Sequence, residues 1–96
     1  MLGLLRLRKY LKSFTDGRVR IRHPALRTQH VADNAQKNLR SIHGVQSVEC
    51  NPVSGSALIL YDSEVLSRQQ LLQMGESWAA WLDAVAAGQN PPPPQL

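Results

Sequence analysis

The stretch RIRHPALRTQHVADNAQKNLRSIHGVQSVEC, Arg20–Cys50, changes period twice, and those changes decide the fold. Val19 and Ile21 alternate with Arg18, Arg20 and Arg22, the period of two that marks a strand with one buried face. Pro24 ends that strand, because its ring removes a backbone donor. Val31, Ala35, Leu39 and Ile42 then fall on one stripe of a helix, with Asp33, Lys37 and Arg40 turned to water. Thr28 is suited to cap that helix and Gly44 to stop it. In VQSVEC the period returns to two, with Val48 and Cys50 on one face.

Beyond that strand, GSALILYD (55–62) reads as another, joined to it by the turn residues of NPVSG (51–55). Ser67 followed by Gln70 is a capping-box pair opening a second helix, whose stripe Leu71, Met74, Trp78, Trp81 and Val85 continues through Gly75. On the N-terminal side, Leu4, Leu7, Leu11 and Phe14 lie on one side of a helix and Arg6, Arg8, Lys9 and Lys12 on the other. A strand period competes there, since Leu5 and Leu7 alternate with Arg6 and Arg8. The helix is preferred, and TDG (15–17) closes it. The chain thus divides into a basic amphipathic helix (1–16), an α+β domain (17–87) and a proline-rich disordered tail (88–96), extended in polyproline fashion. The order strand, helix, strand, strand, helix calls for an antiparallel sheet with both helices on one face.

Ninety-six residues suit one small domain with little room for a deep cleft. A hydrophobic content of 43% and a charged content of 19% describe a globular chain, and no apolar run is long enough to span a bilayer. The net charge of +4 favours acidic partners without specifying them. A single cysteine excludes an internal disulfide framework and suits a reducing compartment, and the cations within the first fourteen residues break any secretory apolar core. The expected location is cytoplasmic, with peripheral contact to the inner membrane through the basic helix as an extension of that expectation.

Three motifs resemble the heavy-metal-associated domain, the ferredoxin-like module of copper chaperones and metal-pumping P-type ATPases: SIHGVQSVECN (41–51), GSALILYD (55–62) and EVLSRQQLLQM (64–74). The resemblance covers Ile21 to Met74 and implies a ferredoxin-like sandwich. It also implies two cysteines, with two residues between them, where the first strand meets the first helix. Counted back from Gly44 and Val45, those positions are Thr28 and Val31, with Leu26 where the family usually has methionine. The chain is therefore similar to a divergent branch without the CxxC site. ESWAAWLDAVAAG (76–88) has helical spacing where the family has its last strand, so that strand is missing or replaced. The edge left on RVRIRH would have to be covered by the N-terminal segment or by a second protomer.

His23 and His30 are the only imidazoles near the degenerate loop, and two ligands are too few for a tight site. The plain expectation is that His23 ends a strand and His30 sits solvated in a first helical turn. Cys50, beside Val48, reads as a small buried apolar residue, and His43 as a helix C-terminal residue. Nothing in the spacing suggests a catalytic triad, paired acids or a phosphate loop, and no cofactor is expected. Arg18, Arg20 and Arg22 form a basic stripe, but the strands lack the aromatic pairs that stack RNA bases, so nucleic acid is not expected.

These readings converge on a non-enzymatic protein–protein interaction or accessory module in bacterial metal handling, self-associating or contacting a metal-transporting ATPase. Its contact residues would be Leu4, Leu7, Leu11, Phe14, Arg18, Arg20, Arg22, Trp78 and Trp81. The alternatives are a weak carrier of metal through His23 and His30, and a membrane-surface adaptor held by the N-terminal helix.

Overall fold

A computed structural model describes residues 5–94. Helix α1 (Leu5–Tyr10) leads directly into strand β1 (Leu11–Thr15), followed by β2 (Arg18–Arg22) and a 3-10 turn (Pro24–Arg27). Then come α2 (Gln29–Arg40), β3 (Val45–Asn51), β4 (Ser56–Tyr61) and α3 (Arg68–Ala86). The four strands form one antiparallel sheet in the order β1-β2-β4-β3. This is the ferredoxin-like arrangement, with the family's last strand replaced by a segment that arrives first in the chain.

The helix expected over residues 1–16 is thereby corrected: among the described residues the helix runs Leu5–Tyr10, and residues 11–15 belong to the sheet. The cause is a β-bulge. Leu11 pairs with Ile21, Ser13 with Arg20 and Phe14 with Val19, so residues 11–13 of β1 oppose only residues 20–21 of β2, and the ladder shifts between Leu11 and Ser13. A spacing of three, which on a helix would align two side chains, here places Leu11 and Phe14 together against the core through one inserted residue. Pairing β1 also satisfies the backbone groups along the edge of β2, which would otherwise invite another chain.

The inward face of the sheet carries Val19, Val48, Ala57, Ile59 and Tyr61, packed against Ala35 and Leu39 of α2 and Leu71, Met74, Trp78 and Leu82 of α3. The capping box forms as its sequence requires: Gln70 N–H donates to Ser67 Oγ at 3.1 Å and Ser67 N–H to Gln70 Oε1 at 2.9 Å. Thr28 is the N-cap of α2 by position, but its side chain makes no capping hydrogen bond. Helix α3 passes through Gly75 without a break, and the absent side chain matters. A Cβ there would lie 2.7 Å from Leu7 Cδ2, so the glycine is the notch into which α1 seats its buried leucine. Glu76 Oε2 accepts from Leu7 N–H at 2.8 Å beside it. The segment after Gly88 has no helix or strand through residue 94, yet Trp81 Nε1 donates to the Pro91 carbonyl at 3.0 Å, which ties it to α3.

Gly55 holds the β3–β4 connection against the end of β2. Its φ is +76°, and a Cβ would lie 2.7 Å from the His23 carbonyl oxygen, while its own carbonyl accepts from His23 N–H at 2.9 Å. Gly55→Ala is expected to cost roughly 2–3 kcal/mol in urea unfolding, combining left-handed strain with a backbone clash. Gly88→Ala, at φ +86° with nothing within 4 Å, is the matched control. It should cost only about 1 kcal/mol or less. Equal losses would show that the contact with His23 carries no weight.

Candidate functional site

The loop from β2 to α2 is where metal chemistry would reside, and its first residue is sealed. Val19, Ile21 and His23 share one strand phase, so the strand aims the imidazole inward, and His23 is only 2% exposed. Its Nδ1 accepts from Ala25 N–H at 3.0 Å, capping the 3-10 turn, and its Nε2–H donates to Asp83 Oδ1 at 2.8 Å. Both ring nitrogens are thus committed, and a bare Nδ1 with a protonated Nε2 is the tautomer these partners require. His23, expected at the strand end, is there, but as a buried structural residue.

Asp83 is the hub. Tyr10 Oη–H donates to Oδ1 at 2.5 Å, the Arg6 guanidinium Nε lies 3.0 Å from Oδ2, and the Tyr10 and His23 rings stack obliquely at 4.2 Å between centroids. Burial pulls the Asp83 pKa upward, but the hydrogen bonds from Tyr10 and His23 and the Arg6 charge outweigh it and hold it below the usual carboxylate value. Tyr10 is pushed up, chiefly because its proton is held by Asp83 and also through burial. Sequence spacing gave little sign of this cluster, since His23 and Asp83 are 60 positions apart. The one available signal was that His23 continues the buried phase of β2.

His30 is exposed on α2, where it borders a groove with Asn34, Trp81, Val85 and residues 91–93. Trp81 and Asp83 are two residues apart on one helix, about 200° around its axis, so the two histidines meet opposite faces of α3 and share no ligand position. Thr28 is exposed, while Leu26 and Val31 are core residues at 1% and 6% exposure. Cys50 is half-buried on β3, and burial raises its thiol pKa above the ordinary value, with Arg40 opposing and Asp33 adding to that shift. That is the opposite of an activated thiolate. Among the described residues no three of His, Cys, Asp and Glu converge as a metal-holding group. The side chains at the loop do not fit a soft-metal site.

The side chains expected to face a partner divide sharply. Leu7, Trp78 and Trp81 are buried, Leu11 and Phe14 pack against the core, and Leu4 lies outside the described residues. Arg18, Arg20 and Arg22 are exposed on the open face of the sheet, opposite Leu60, Leu58 and Ser56 in register. Leu58 and Leu60 are half-buried, as expected where long cationic neighbours can lay their aliphatic stems over them. On the other flank, Ser47, Glu49 and Asn51 oppose the same residues of β4. Arg22 Nε donates to the Ser54 carbonyl at 3.0 Å. Among the described residues no carboxylate lies within ion-pair distance of these three arginines.

The open sheet, the two helices on its other face and the loop between them define a small ferredoxin-like module of the heavy-metal-associated class. The family model for heavy metal associated domain 2 matches residues 9–75, and the chain belongs to that family. The match takes in β1, the strand supplied by the N-terminal segment. Comparison with curated proteins and with solved structures finds no match. No helix among the described residues is long and apolar enough to cross a membrane.

Removing the hub carboxylate leaves the buried His23 Nε2–H and the part-buried Tyr10 hydroxyl without their partner. Asp83→Ala should cost about 1–3 kcal/mol in urea unfolding at pH 7, the cost of orphaning buried hydrogen-bonding groups. Because the folded pKa of Asp83 lies below its unfolded value, the carboxylate's contribution is complete above the unfolded value. It is lost as pH falls through the folded one. Tyr10, with its folded pKa raised, loses its contribution as pH rises past its unfolded value of 10.0. Stability measured against pH should therefore fall at both extremes in the native chain, and both limbs should be shallower in Asp83→Ala. Unchanged limbs would show that the cluster does not couple to folding.

Proposed function

We propose that this protein is a non-enzymatic heavy-metal-associated-like module with a degenerate metal loop, working through protein–protein contact as an accessory in bacterial metal handling. Its setting is the cytoplasm, and a metal-transporting ATPase is the partner class that the family membership favours. The observation that carries this reading is the engagement of both His23 nitrogens inside the fold, at a loop whose other key positions are Leu26, Thr28 and Val31. A chain with this loop has no donor set with which to carry a soft ion. What it does offer is an open sheet face bearing Arg18, Arg20 and Arg22 around Leu58 and Leu60. That surface suits an acidic protein segment with apolar side chains, and the absence of aromatic rings at the positions facing outward on β2 and β4 disfavours base stacking.

The carrier alternative requires His23 to leave Asp83 and Ala25 before it can ligate. The membrane alternative has less support, because Leu7 of α1 is buried against α3 and Arg6 is held by Asp83. Two measurements test the proposal. Calorimetric titration of the reduced protein with zinc and with copper(I) should give no stoichiometric binding at micromolar concentrations. Tight binding abolished by His23→Ala and His30→Ala together would favour the carrier. Pull-down from the native host should recover a protein partner with the native chain, and capture should fall at least tenfold when Arg18, Arg20 and Arg22 are replaced together by glutamate. Undiminished capture by that folded variant would remove the sheet face from the account.

A further inference from the structure

The groove between α2 and α3 is floored by Trp81 and Val85, walled on one side by His30, Val31 and Asn34, and bordered on the other by residues 90–93. Four consecutive prolines, 91–94, fix φ near −65° and favour the polyproline II helix, which has no internal hydrogen bonds and so leaves its carbonyls available. One of those carbonyls, that of Pro91, accepts from the Trp81 indole N–H at 3.0 Å. An aromatic floor whose ring N–H donates to a proline main-chain carbonyl is the arrangement by which proline-rich segments are recognised.

We propose that this groove is a docking site for a proline-rich polyproline II segment of a partner protein, and that the chain's own tail, which lines one side of it, engages the Trp81 indole N–H in cis as a displaceable latch. Three features make the latch displaceable. The recognised group is a backbone carbonyl, which any segment of the same conformation can supply. A space of about 430 Å³ remains open beside the tail, so the tail is gripped along one side only. The tail leaves α3 through Gly88 and Gln89, whose N–H groups donate back to the Val85 and Ala84 carbonyls at 3.0 Å each, and exposed Asn90, just beyond that cap, is the point at which the tail can turn away.

The test uses the intact 96-residue chain and a synthetic peptide of residues 89–96, Gln-Asn-Pro-Pro-Pro-Pro-Gln-Leu, added in trans. A variant with Pro91, Pro92, Pro93 and Pro94 replaced together by glycine, which unlatches the tail without shortening the chain, should bind the peptide saturably and shift the Trp81 indole N–H resonance. The intact chain, whose tail competes at an effective concentration of roughly millimolar, should bind it at least about tenfold more weakly. Trp81→Phe in the glycine background should lose most of that binding. Independently of any variant, the Trp81 indole N–H of the intact chain should exchange with solvent well below the rate of an exposed indole. Equal binding by intact and glycine chains, no binding by a folded glycine chain, or free exchange of the intact indole would each overturn the proposal. So would dimerisation of the intact chain at micromolar concentration that is abolished by the glycine replacement, because the tail would then be seated in a second copy.

Discussion

One carboxylate organises the molecule. Asp83 accepts from Tyr10 and His23 and pairs with Arg6, so three segments that are distant in sequence meet at a single side chain on α3. A buried imidazole is tolerable only when its polar atoms are partnered, and Asp83 is the partner that allows β2 to end inside the fold. The same carboxylate anchors α1, and α1 sets the starting point of β1. The replacement strand is therefore held at its upstream end by charge and hydrogen bonding, and along its length by the ladder to β2. Leu7 over Gly75 adds the apolar part of that anchorage.

This constraint explains why the fold survives a change in strand order along the chain. The ferredoxin-like sheet needs a strand beside β2, and it is indifferent to whether that strand comes from the C-terminal or the N-terminal end. In this chain the C-terminal segment continues as helix, and Trp78, Trp81 and Leu82 add to the core. The vacancy is filled from the other end, through a two-residue turn at Asp16 and Gly17.

Much of this was legible in the residues. The alternation of Arg18–Arg22, the stripe of α2, the capping box at Ser67 and the unbroken stripe of α3 are local signals, and each formed the element it specifies. Residues 11–15 were harder because a bulged strand and a helix share the spacing of Leu11 and Phe14, and only pairing with β2 distinguishes them. The site was less legible still. Loss of the paired thiols at Thr28 and Val31 can be read from sequence, whereas the role of His23 depends on a partner 60 residues away. Apolar side chains such as Leu7 and Trp81 look alike whether they serve a core or a partner. The Trp81 hydrogen bond to Pro91 had no signal beyond the proline run itself. Family membership supplies the metal-associated context, and the proposal of a contact module rests on the loop, where both His23 nitrogens are bonded within the fold.

The claim on which this account rests is that His23 serves the fold with both nitrogens and has none left for an ion. Long-range nitrogen–proton correlation spectra of the imidazole rings test it most directly. His23 should show a protonated Nε2 and a bare Nδ1, with both resonances unmoved by an equivalent of zinc or copper(I). A His23 ring protonated at Nδ1, or one whose nitrogens shift stoichiometrically on adding metal, would contradict it.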